Sequence, residues 1–326
     1  MKYGNGPTYG HHGNTQAADI ALSIHTQVDS AFYDMMLPDY EWYGILDTSQ
    51  VMSDINAGAT SYAYITRQQH GAAAFIGNGP NSNIPMVGQS AGAVQVPVAY
   101  AAVGAVITNE DARQYDFGFN GNLAQDLGVA MRKAADNLVE TSVIFGNKDL
   151  GLQPWINYPG IDTITVGVGA SGQTEWNDKT GLEMVRDVNT CLKVMWENSK
   201  TLMKPQTVFI PLTQFGLLTE APVVLGSTGT ATTAIEYLKK NNIITQATGQ
   251  QIDIRYSRYL AGAGVGGADR MVLMDRRKEY QCMPFPLPYL LSQPIPAPLS
   301  AELFAELKFG SFHVRQQGSM MYADGI

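Results

Sequence analysis

Charged side chains are scarce in this sequence. Asp, Glu, Lys and Arg make up 15% of its 326 residues, whereas an ordinary soluble domain carries about 25%. Uncharged polar residues, among them 16 tyrosines, take their place, and they can form hydrogen bonds across a contact without the desolvation cost of a buried charge. The composition predicts a folded protein, not a disordered one, whose surface is covered extensively by neighbouring molecules.

Dense clusters of basic residues are also missing. The chain has 21 Lys and Arg against 29 Asp and Glu, a net charge of −8. It therefore lacks the positive surface that drives nonspecific binding to nucleic-acid phosphates. This excludes a protein that grips DNA tightly, and we expect DNA to be at most a weakly repelled neighbour.

Cysteines and long apolar runs are scarce too. Cys191 and Cys282 lie in unrelated segments without CxxC or CxxH spacing, which predicts neither a disulfide framework nor a zinc site but two buried thiols in a reducing compartment. No apolar segment of signal-peptide length lies near the N-terminus, and no run of 18 apolar residues occurs. We expect neither secretion by that route nor a membrane-spanning segment.

The apolar pattern alternates between helical and strand-like periods along the chain. A period of three to four residues predicts helices over residues 17–36, from an N-cap at Asn120 or Asn122 to Phe145, from a capping box at Thr180 to the stop at Pro205, and over residues 233–242. Strand-like runs cover residues 163–166, 206–210, 251–256 and 270–274. The middle of the chain is therefore predicted to mix helices and strands.

A long β-hairpin is predicted over residues 60–108, with a glycine-rich tip at residues 77–83. Apolar side chains alternate with small or polar ones on both arms, namely Tyr62, Tyr64, Val94, Val96 and Val98. Two strands alone bury too little apolar surface to be stable in water. We expect another surface to cover this hairpin, and a neighbouring subunit would provide one.

Six prolines crowd residues 284–298. Proline lacks the backbone N–H that a helix or a central strand needs, so this stretch predicts an extended connector. The apolar residues that follow are Phe304, Leu307, Phe309, Phe312 and Val314. They predict that the chain finally returns to a sheet begun earlier.

Residues 88–92, GQSAG, match the GxSxG motif of serine hydrolases, with Ser90 as the nucleophile. That motif needs a helix after the serine, but the following residues alternate and include Pro97. Only His313 comes late enough for the usual order of serine, acid and histidine, and nothing marks an acidic partner for it. We favour a loop-to-strand turn, and a serine hydrolase using Ser90 is the alternative from a different functional class.

Two glycine-rich stretches, residues 167–172 and 262–267, have the GxGxxG spacing of dinucleotide-binding loops. In such loops a helix begins at once, so that its first amides meet the phosphates. Here the next predicted helix begins only near Thr180 after the first loop, and strand residues follow the second. We interpret both as structural loops, so the sequence predicts no enzyme, no cofactor, and no catalytic, cofactor-binding or metal-binding residues.

Residues 1–16 are rich in Gly, Asn and His without a period, which predicts a flexible arm. After this arm come a long β excursion, a long helix, a mixed domain, and a return strand behind a proline-rich connector. In this order the chain resembles the major capsid proteins of tailed bacteriophages, which share the Hong Kong 97-like fold with encapsulin shells. The similarity covers roughly residues 30–326 and is carried by residues 146–152 followed by Asn157, Tyr158 and Pro159, residues 205–212, 233–242 and 262–271, the proline run, and residues 310–325.

The resemblance implies an α+β fold of the Hong Kong 97-like type, with a peripheral domain built from a long spine helix and a sheet, an axial domain, an extended β-hairpin loop and an N-terminal arm. The implied boundaries are 1–46 for the arm, 47–110 for the extended loop, 111–164 for the peripheral domain with the spine helix, 165–283 for the axial domain, and 284–326 for the return segment of the peripheral domain.

The resemblance also implies a function. The chain would be a structural major capsid protein that assembles as hexamers and pentamers into an icosahedral shell around viral double-stranded DNA, in the virion after assembly in the host bacterial cytoplasm. Portal and scaffolding proteins are expected partners, with a decoration protein as a further candidate. The packaged DNA is expected to be enclosed without sequence-specific binding, and no membrane is expected. An encapsulin-type compartment shell is the nearest alternative within this class.

Overall fold

The computed structural model describes residues 39–75, 85–119, 122–224 and 232–326. The fold below is that of the unit Tyr40–Ile326, and Asp39 belongs to the preceding unit of the chain. Two predicted features, the helix over residues 17–36 and the hairpin tip at residues 77–83, lie outside the described residues.

Helices and strands alternate irregularly along the chain. The described helices are α1 (Trp42–Ile45), α2 (Asn109–Phe119), α3 (Leu123–Phe145), α4 (Gly181–Asn198), α5 (Leu212–Glu220), α6 (Ala234–Lys240) and α7 (Ile243–Thr248). The described strands are β1 (Val51–Met52), β2 (Ser61–His70), β3 (Gly88–Thr108), β4 (Asp162–Thr165), β5 (Thr207–Pro211), β6 (Asp253–Ser257), β7 (Arg270–Met274), β8 (Gln281–Pro284), β9 (Leu287–Leu291), β10 (Ile295–Ala297), β11 (Ser300–Gly310), β12 (His313–Val314) and β13 (Met320–Asp324).

A mixed five-stranded sheet in the order β4-β13-β7-β5-β6 lies between two hydrophobic cores. Its strands β5, β7 and β13 are buried along their whole length, because successive side chains enter opposite cores. On β7, Met271 and Leu273 join the core beneath α4, whereas Val272 and Met274 join the core that contains Trp155. Burial on both faces explains why the sequences of these strands are mostly apolar and do not alternate between apolar and polar residues.

β3 belongs partly to a second sheet and partly to a two-stranded ribbon. Residues 98–108 of β3 pair with β11, and residues 88–97 pair with β2. This sheet has the order β10-β11-β3-β2, with β9 also paired to β11. α3 lies on it, where Met131 packs with Ile107 and Leu303. The predicted hairpin is confirmed, and so is the return of the chain to an earlier sheet.

The bounds of α3 follow the sequence prediction. The side chain of Asn122 accepts a hydrogen bond from the N–H of Ala124 at 3.1 Å, which satisfies one of the free amides at the helix N-terminus. Gly146 ends the helix with a φ of 69°. A Cβ at that position would lie 2.5 Å from the carbonyl oxygen of Leu152, so a side chain does not fit there.

The prediction for α4 is confirmed at its start and wrong at its end. The carboxylate of Glu183 accepts a hydrogen bond from the N–H of Thr180 at 2.8 Å, as a capping box requires. The helix stops at Asn198, well before the proline, because Lys200 and Thr201 adopt the left-handed conformation with φ of 51° and 66°. Leu202, which the prediction placed in the helix, is 69% exposed.

The proline-rich stretch is not a plain connector. β9 and β10 within it pair with β11 as short outer strands. On an outer strand one edge has no partner, so a proline there need not remove a hydrogen bond between strands. β8 ends at Pro284 and lies in the middle of the sheet β1-β8-β12, where the prediction excluded a central strand. The N–H groups of Met283 and Phe285 donate to β1 and the residue before it, so position 284 faces the other side of the strand. Pro284 is tolerated because β12, on that side, pairs only with Gln281 and Cys282 and needs no N–H from residue 284.

The strands that follow residue 284 do not all lie in one sheet: β9, β10 and β11 join the sheet that contains β3, whereas β12 pairs with β8. The C-terminal strand β13 pairs with β7 on one side and with β4 on the other. It therefore lies in the sheet that holds β5 and β6, although the sequence prediction assigned residues 284–326 to the other domain. The five domain ranges themselves stay a prediction.

The described end of the predicted arm is attached to the rest of this unit through α1. The hydroxyl of Tyr40 donates a hydrogen bond to the carbonyl of Lys133 on α3 at 2.8 Å. The carboxylate of Glu41 accepts one from the N–H of Arg258 at 3.0 Å. Trp42 and Ile45 of α1 are buried in the core that contains Trp155.

Candidate assembly surface

The base of the hairpin packs on its own subunit. In the register of the two strands, Tyr62 lies opposite Val96 and Tyr64 opposite Val94, so these four side chains share one face. Val96 is only 1% exposed. The expectation that a neighbouring subunit must cover this whole face is therefore wrong at the base, because the C-terminal segment of the same chain lies against it.

His313 and Arg315 make the contacts that hold the hairpin base. The hydroxyl of Tyr64 forms a hydrogen bond with Nε2 of His313 at 2.9 Å, and Nη2 of Arg315 donates to the hydroxyl of Tyr62 at 3.0 Å. Nδ1 of His313 forms a hydrogen bond with the hydroxyl of Tyr158 at 3.0 Å. Burial, and after it the charge of Arg315, lowers the pKa of His313 to about 4.

The distal half of the hairpin, which we call the distal ribbon, comprises residues 65–75 and 85–93. Its apolar side chains lie in solvent: Ile65 is 68% exposed, Met86 is 86% exposed and Val87 is 76% exposed, and Phe75 is fully exposed. Among the described residues no third strand or helix lies against it, and two strands alone have no core of their own. The distal ribbon is therefore an uncovered apolar surface, and such surfaces mark contacts with other molecules.

The outer face of the second sheet carries a separate group of exposed apolar side chains. Phe304 of β11 is 42% exposed and lies opposite Gly104 of β3, where a Cβ would come within 3.0 Å of the phenylalanine ring. Val106 and Leu290, on the strands beside β11, are 62% and 52% exposed. Glycine at position 104 thus lets the ring lie flat on the sheet.

Ser90 does not occupy a nucleophile elbow. It lies within β3 and pairs with Gln68 of β2 in regular antiparallel register, so the chain continues as a strand where a hydrolase needs a helix. Both ring nitrogens of His313 are engaged by tyrosine hydroxyls. The structure therefore does not bring Ser90 and His313 into a catalytic arrangement.

The first glycine-rich loop is held by side chains of the same chain. The ammonium group of Lys179, which is fully buried, donates to the carbonyl of Gly167 at 2.6 Å. The N–H of Ala170 donates to the carboxylate of Glu183 at 2.7 Å. Hydrogen bonds from the N–H groups of Thr180 and Ala170 lower the pKa of Glu183 to about 2, so this carboxylate stays charged and keeps the loop in place.

The second glycine-rich loop packs closely on β13. The N–H of Gly262 donates to Asp269 at 2.8 Å, and the N–H of Val265 donates to Asp324 at 3.0 Å. A Cβ on Gly264 would lie 2.9 Å from the carboxyl carbon of Asp324. In both loops the amides meet carboxylates of the protein itself, which supports the interpretation as structural loops and argues against a phosphate cradle.

Both cysteines are buried thiols, as predicted, each 1% exposed. Burial raises the pKa of Cys191 to about 12 and raises that of Cys282 as well, so neither thiol ionises near neutral pH. In the described ranges, no three Asp, Glu, His or Cys side chains converge as metal ligands. That the chain lacks catalytic and ligand-binding residues stays a prediction.

Comparison with known proteins turns this geometry into a family assignment. The model of the major capsid protein family matches residues 71–326. The chain belongs to this family. No curated protein sequence matches the chain closely enough to count as a relative. In the part of the chain that the structure describes, no helix combines the length and apolar character of a membrane span.

Solved capsid structures share the fold over nearly the whole chain. The capsid of Myoviridae phage XM1 has a TM-score of 0.74 at 14% identity and covers 93% of this chain and 98% of its own. The capsid of a native GTA particle has a TM-score of 0.60 at 8% identity, covering 94% and 97%. Microbacterium phage Oxtober96 has a TM-score of 0.59 at 12% identity, also covering 94% and 97%.

Family and fold together confirm the resemblance seen in the sequence. The protein is a structural component of a capsid shell, its fold is α+β of the Hong Kong 97-like type, and it works in the virion as part of an assembled oligomer. It is not an enzyme. The serine-hydrolase and encapsulin alternatives are not favoured.

Proposed function

We propose that this capsid protein assembles as hexamers and pentamers into a closed icosahedral shell around the double-stranded DNA of a tailed phage. The observation that carries the proposal is the distal ribbon, which exposes four large apolar side chains that it cannot bury itself. A symmetric shell presents the same neighbouring surface to every copy of the ribbon. The outer face of the second sheet offers exposed apolar side chains for such a contact, with Phe304 lying between Glu302 and Glu306.

The composition supports the same proposal. With 15% charged residues the surface can be covered by subunit contacts at little desolvation cost. A net charge of −8 suits a lining that does not adhere to packaged DNA, since tight binding of DNA requires many basic contacts. Portal and scaffolding proteins, with a decoration protein as a further candidate, would complete the particle, and assembly would take place in the host bacterial cytoplasm.

A triple variant of the distal ribbon, Ile65→Ser, Phe75→Ser and Met86→Ser, tests the proposal. These side chains are exposed within the subunit, so the Tm of the unassembled variant should stay within a few degrees of wild type. Shell yield, measured by light scattering after size exclusion and by electron microscopy, should fall at least about ten-fold, since each removed apolar contact is worth about 1.5–3 kcal/mol when buried.

The matched control replaces the same three residues with leucine, which keeps the apolar surface and should keep the shells. A wild-type chain that stays a stable monomer under every salt and co-expression condition would contradict assembly itself. Normal shells from the serine variant would instead show that the distal ribbon is not an assembly contact.

A further inference from the structure

A groove of about 570 Å³ lies away from the hairpin. It is formed by the loop after α1, the beginnings of β5 and β6, and the turn between β7 and β8. We call it the Arg276 groove, and its lining includes Asp47, Thr207, Asp253, Arg255, Arg276 and Lys278. Most of these side chains can form charged or polar contacts, so the groove suits a polar ligand.

Arg276 is the buried charge of this groove. The residue is 9% exposed, and burial lowers the pKa of its guanidinium from the usual value because a cation is poorly solvated there. An arginine nevertheless stays protonated in proteins. Oδ1 of Asp47 lies 2.7 Å from Nη2 of Arg276, but Nε and Nη2 make no well-directed hydrogen bond with any of the described residues.

The other two groove arginines have acceptors of their own. Nε and Nη2 of Arg277 donate to the two oxygens of Asp275 at 2.9 Å and 2.6 Å. Arg255 donates to Asp253 at 2.5 Å and to the carbonyl of Gly44 at 2.7 Å. The side chain of Asp47, the carboxylate nearest to Arg276, is 50% exposed, so solvent screens it, and Asp253 already accepts a hydrogen bond from Arg255.

We propose that the Arg276 groove binds an oxyanion, a carboxylate or phosphate group, whose oxygens accept hydrogen bonds from the guanidinium of Arg276. The planar guanidinium presents paired donors that match two oxygens of such a group. A buried cation with unused donors destabilises the free protein, and an anion removes that cost. The groove is larger than one such group, so it admits a free anion or a carboxylate carried by a second copy of this acidic chain.

The test measures binding of inorganic phosphate and of acetate to unassembled subunits by calorimetry and by the shift in Tm, against chloride at equal ionic strength. Wild type should bind at least one of the two anions. Arg276→Gln should weaken binding at least about ten-fold, because the paired donors are lost. Arg113→Gln, which removes the same charge from a side chain that is 78% exposed and lies outside the groove, should bind as wild type does.

Asp47→Asn provides a test of opposite sign that does not depend on the folding of the arginine variant. It removes the competing carboxylate from Arg276 and should strengthen anion binding several-fold. Weaker binding by Asp47→Asn, equal binding by wild type and Arg276→Gln, or no binding of either anion by wild type would each overturn the proposal. Because these measurements use subunits, they do not depend on whether shells form.

Assembled wild-type shells distinguish the two sources of the anion. If a carboxylate of a second copy fills the groove, shells should not bind added phosphate or acetate, although free subunits do. If the anion comes from solution, shells and subunits should bind it alike. Either result supports an oxyanion site and identifies its occupant.

Discussion

A single histidine ties three parts of the chain together at the base of the hairpin. The ring of His313 on β12 bonds to Tyr64 on β2 and to Tyr158 in the loop after α3. A neutral imidazole can donate from one nitrogen and accept at the other, whereas the protonated ring can only donate. Its environment disfavours the charge, because the ring is buried and Arg315 is nearby. The attachment of the hairpin base to the rest of the subunit therefore depends on a histidine that must stay neutral.

We expect this histidine to make the unassembled subunit sensitive to mild acid. The unfolded chain takes up a proton on His313 near pH 6.5, while the folded subunit does so only near pH 4. Between these values the unfolded state binds more protons, so the free energy of unfolding decreases as the pH falls. A shift of this size corresponds to about 3.4 kcal/mol, and solvent screening of the partly exposed ring reduces the expected loss to on the order of 2 kcal/mol.

Chemical denaturation of wild type and His313→Gln between pH 7.5 and 4 measures this difference. The variant should be less stable than wild type at pH 7.5 and should lose less stability on acidification. His70→Gln, at an exposed position of β2, is the matched control and should keep the wild-type pH dependence. Parallel curves for wild type and His313→Gln would show that the histidine does not govern the acid response.

At the scale of elements, one buried asparagine joins two short helices. The side-chain oxygen of Asn242 accepts a hydrogen bond from the N–H of Thr245 at 2.7 Å and so caps the start of α7. Its side-chain nitrogen donates to the carbonyl of Leu238 at 2.8 Å, at the end of α6. Asn242 is 1% exposed, so water cannot replace either bond.

We expect Asn242→Ala to lower the free energy of unfolding by about 2 kcal/mol, since a cap and a buried donor are lost together. Asn242→Asp keeps the accepting oxygen but not the donor. At pH 7 its free energy of unfolding should therefore fall by less than that of Asn242→Ala. Denaturant unfolding of both variants separates the two contributions. If aspartate costs as much as alanine, repulsion between its second oxygen and the carbonyl of Leu238 cancels the N-cap bond.

The elements that the sequence predicted well have local signals. α3 has a regular apolar period, a capping asparagine and a terminal glycine, and the structure agrees with all three. α2 was missed although Thr108 accepts a hydrogen bond from the N–H of Asp111, a start signal visible in the sequence as T-N-E-D. β9 and β10 were missed because proline forbids a central strand, and only the pairing with β11 places them at an edge.

Nonlocal features lay beyond the sequence for a physical reason. The alternation of Tyr62 and Tyr64 indicates a face that must be covered, but which molecule covers it depends on where His313 and Arg315 lie in three dimensions. Likewise, Arg276 is left with unused donors because Asp253 and Asp275 accept hydrogen bonds from Arg255 and Arg277 instead. The sequence does not show which carboxylate pairs with which arginine. Periodicity reports how one strand or helix is exposed, and it carries no information about distant partners.

At the scale of the whole molecule, the subunit combines well-packed sheets with the exposed distal ribbon. The sheet β4-β13-β7-β5-β6 has a core on each face, and residues 98–108 of β3 are paired with β11 under α3. In the part of the chain that the structure describes, the distal ribbon has only its own two strands. Local stability should therefore fall sharply along β3, between the part that lies in the sheet and the part that lies in the ribbon.

Hydrogen exchange on free subunits and on assembled shells tests this gradient directly. In free subunits, amides of residues 66–70 and 88–92 should exchange at least about a hundred-fold faster than those of residues 98–108, because opening the ribbon exposes almost no buried apolar surface. In shells, a neighbouring subunit that covers the ribbon should slow exchange of those distal amides by at least about ten-fold and leave residues 98–108 unchanged. Equal protection of both halves of β3 in the free subunit would mean that the distal ribbon is stabilised within its own chain, and the main physical support for its role in assembly would be lost.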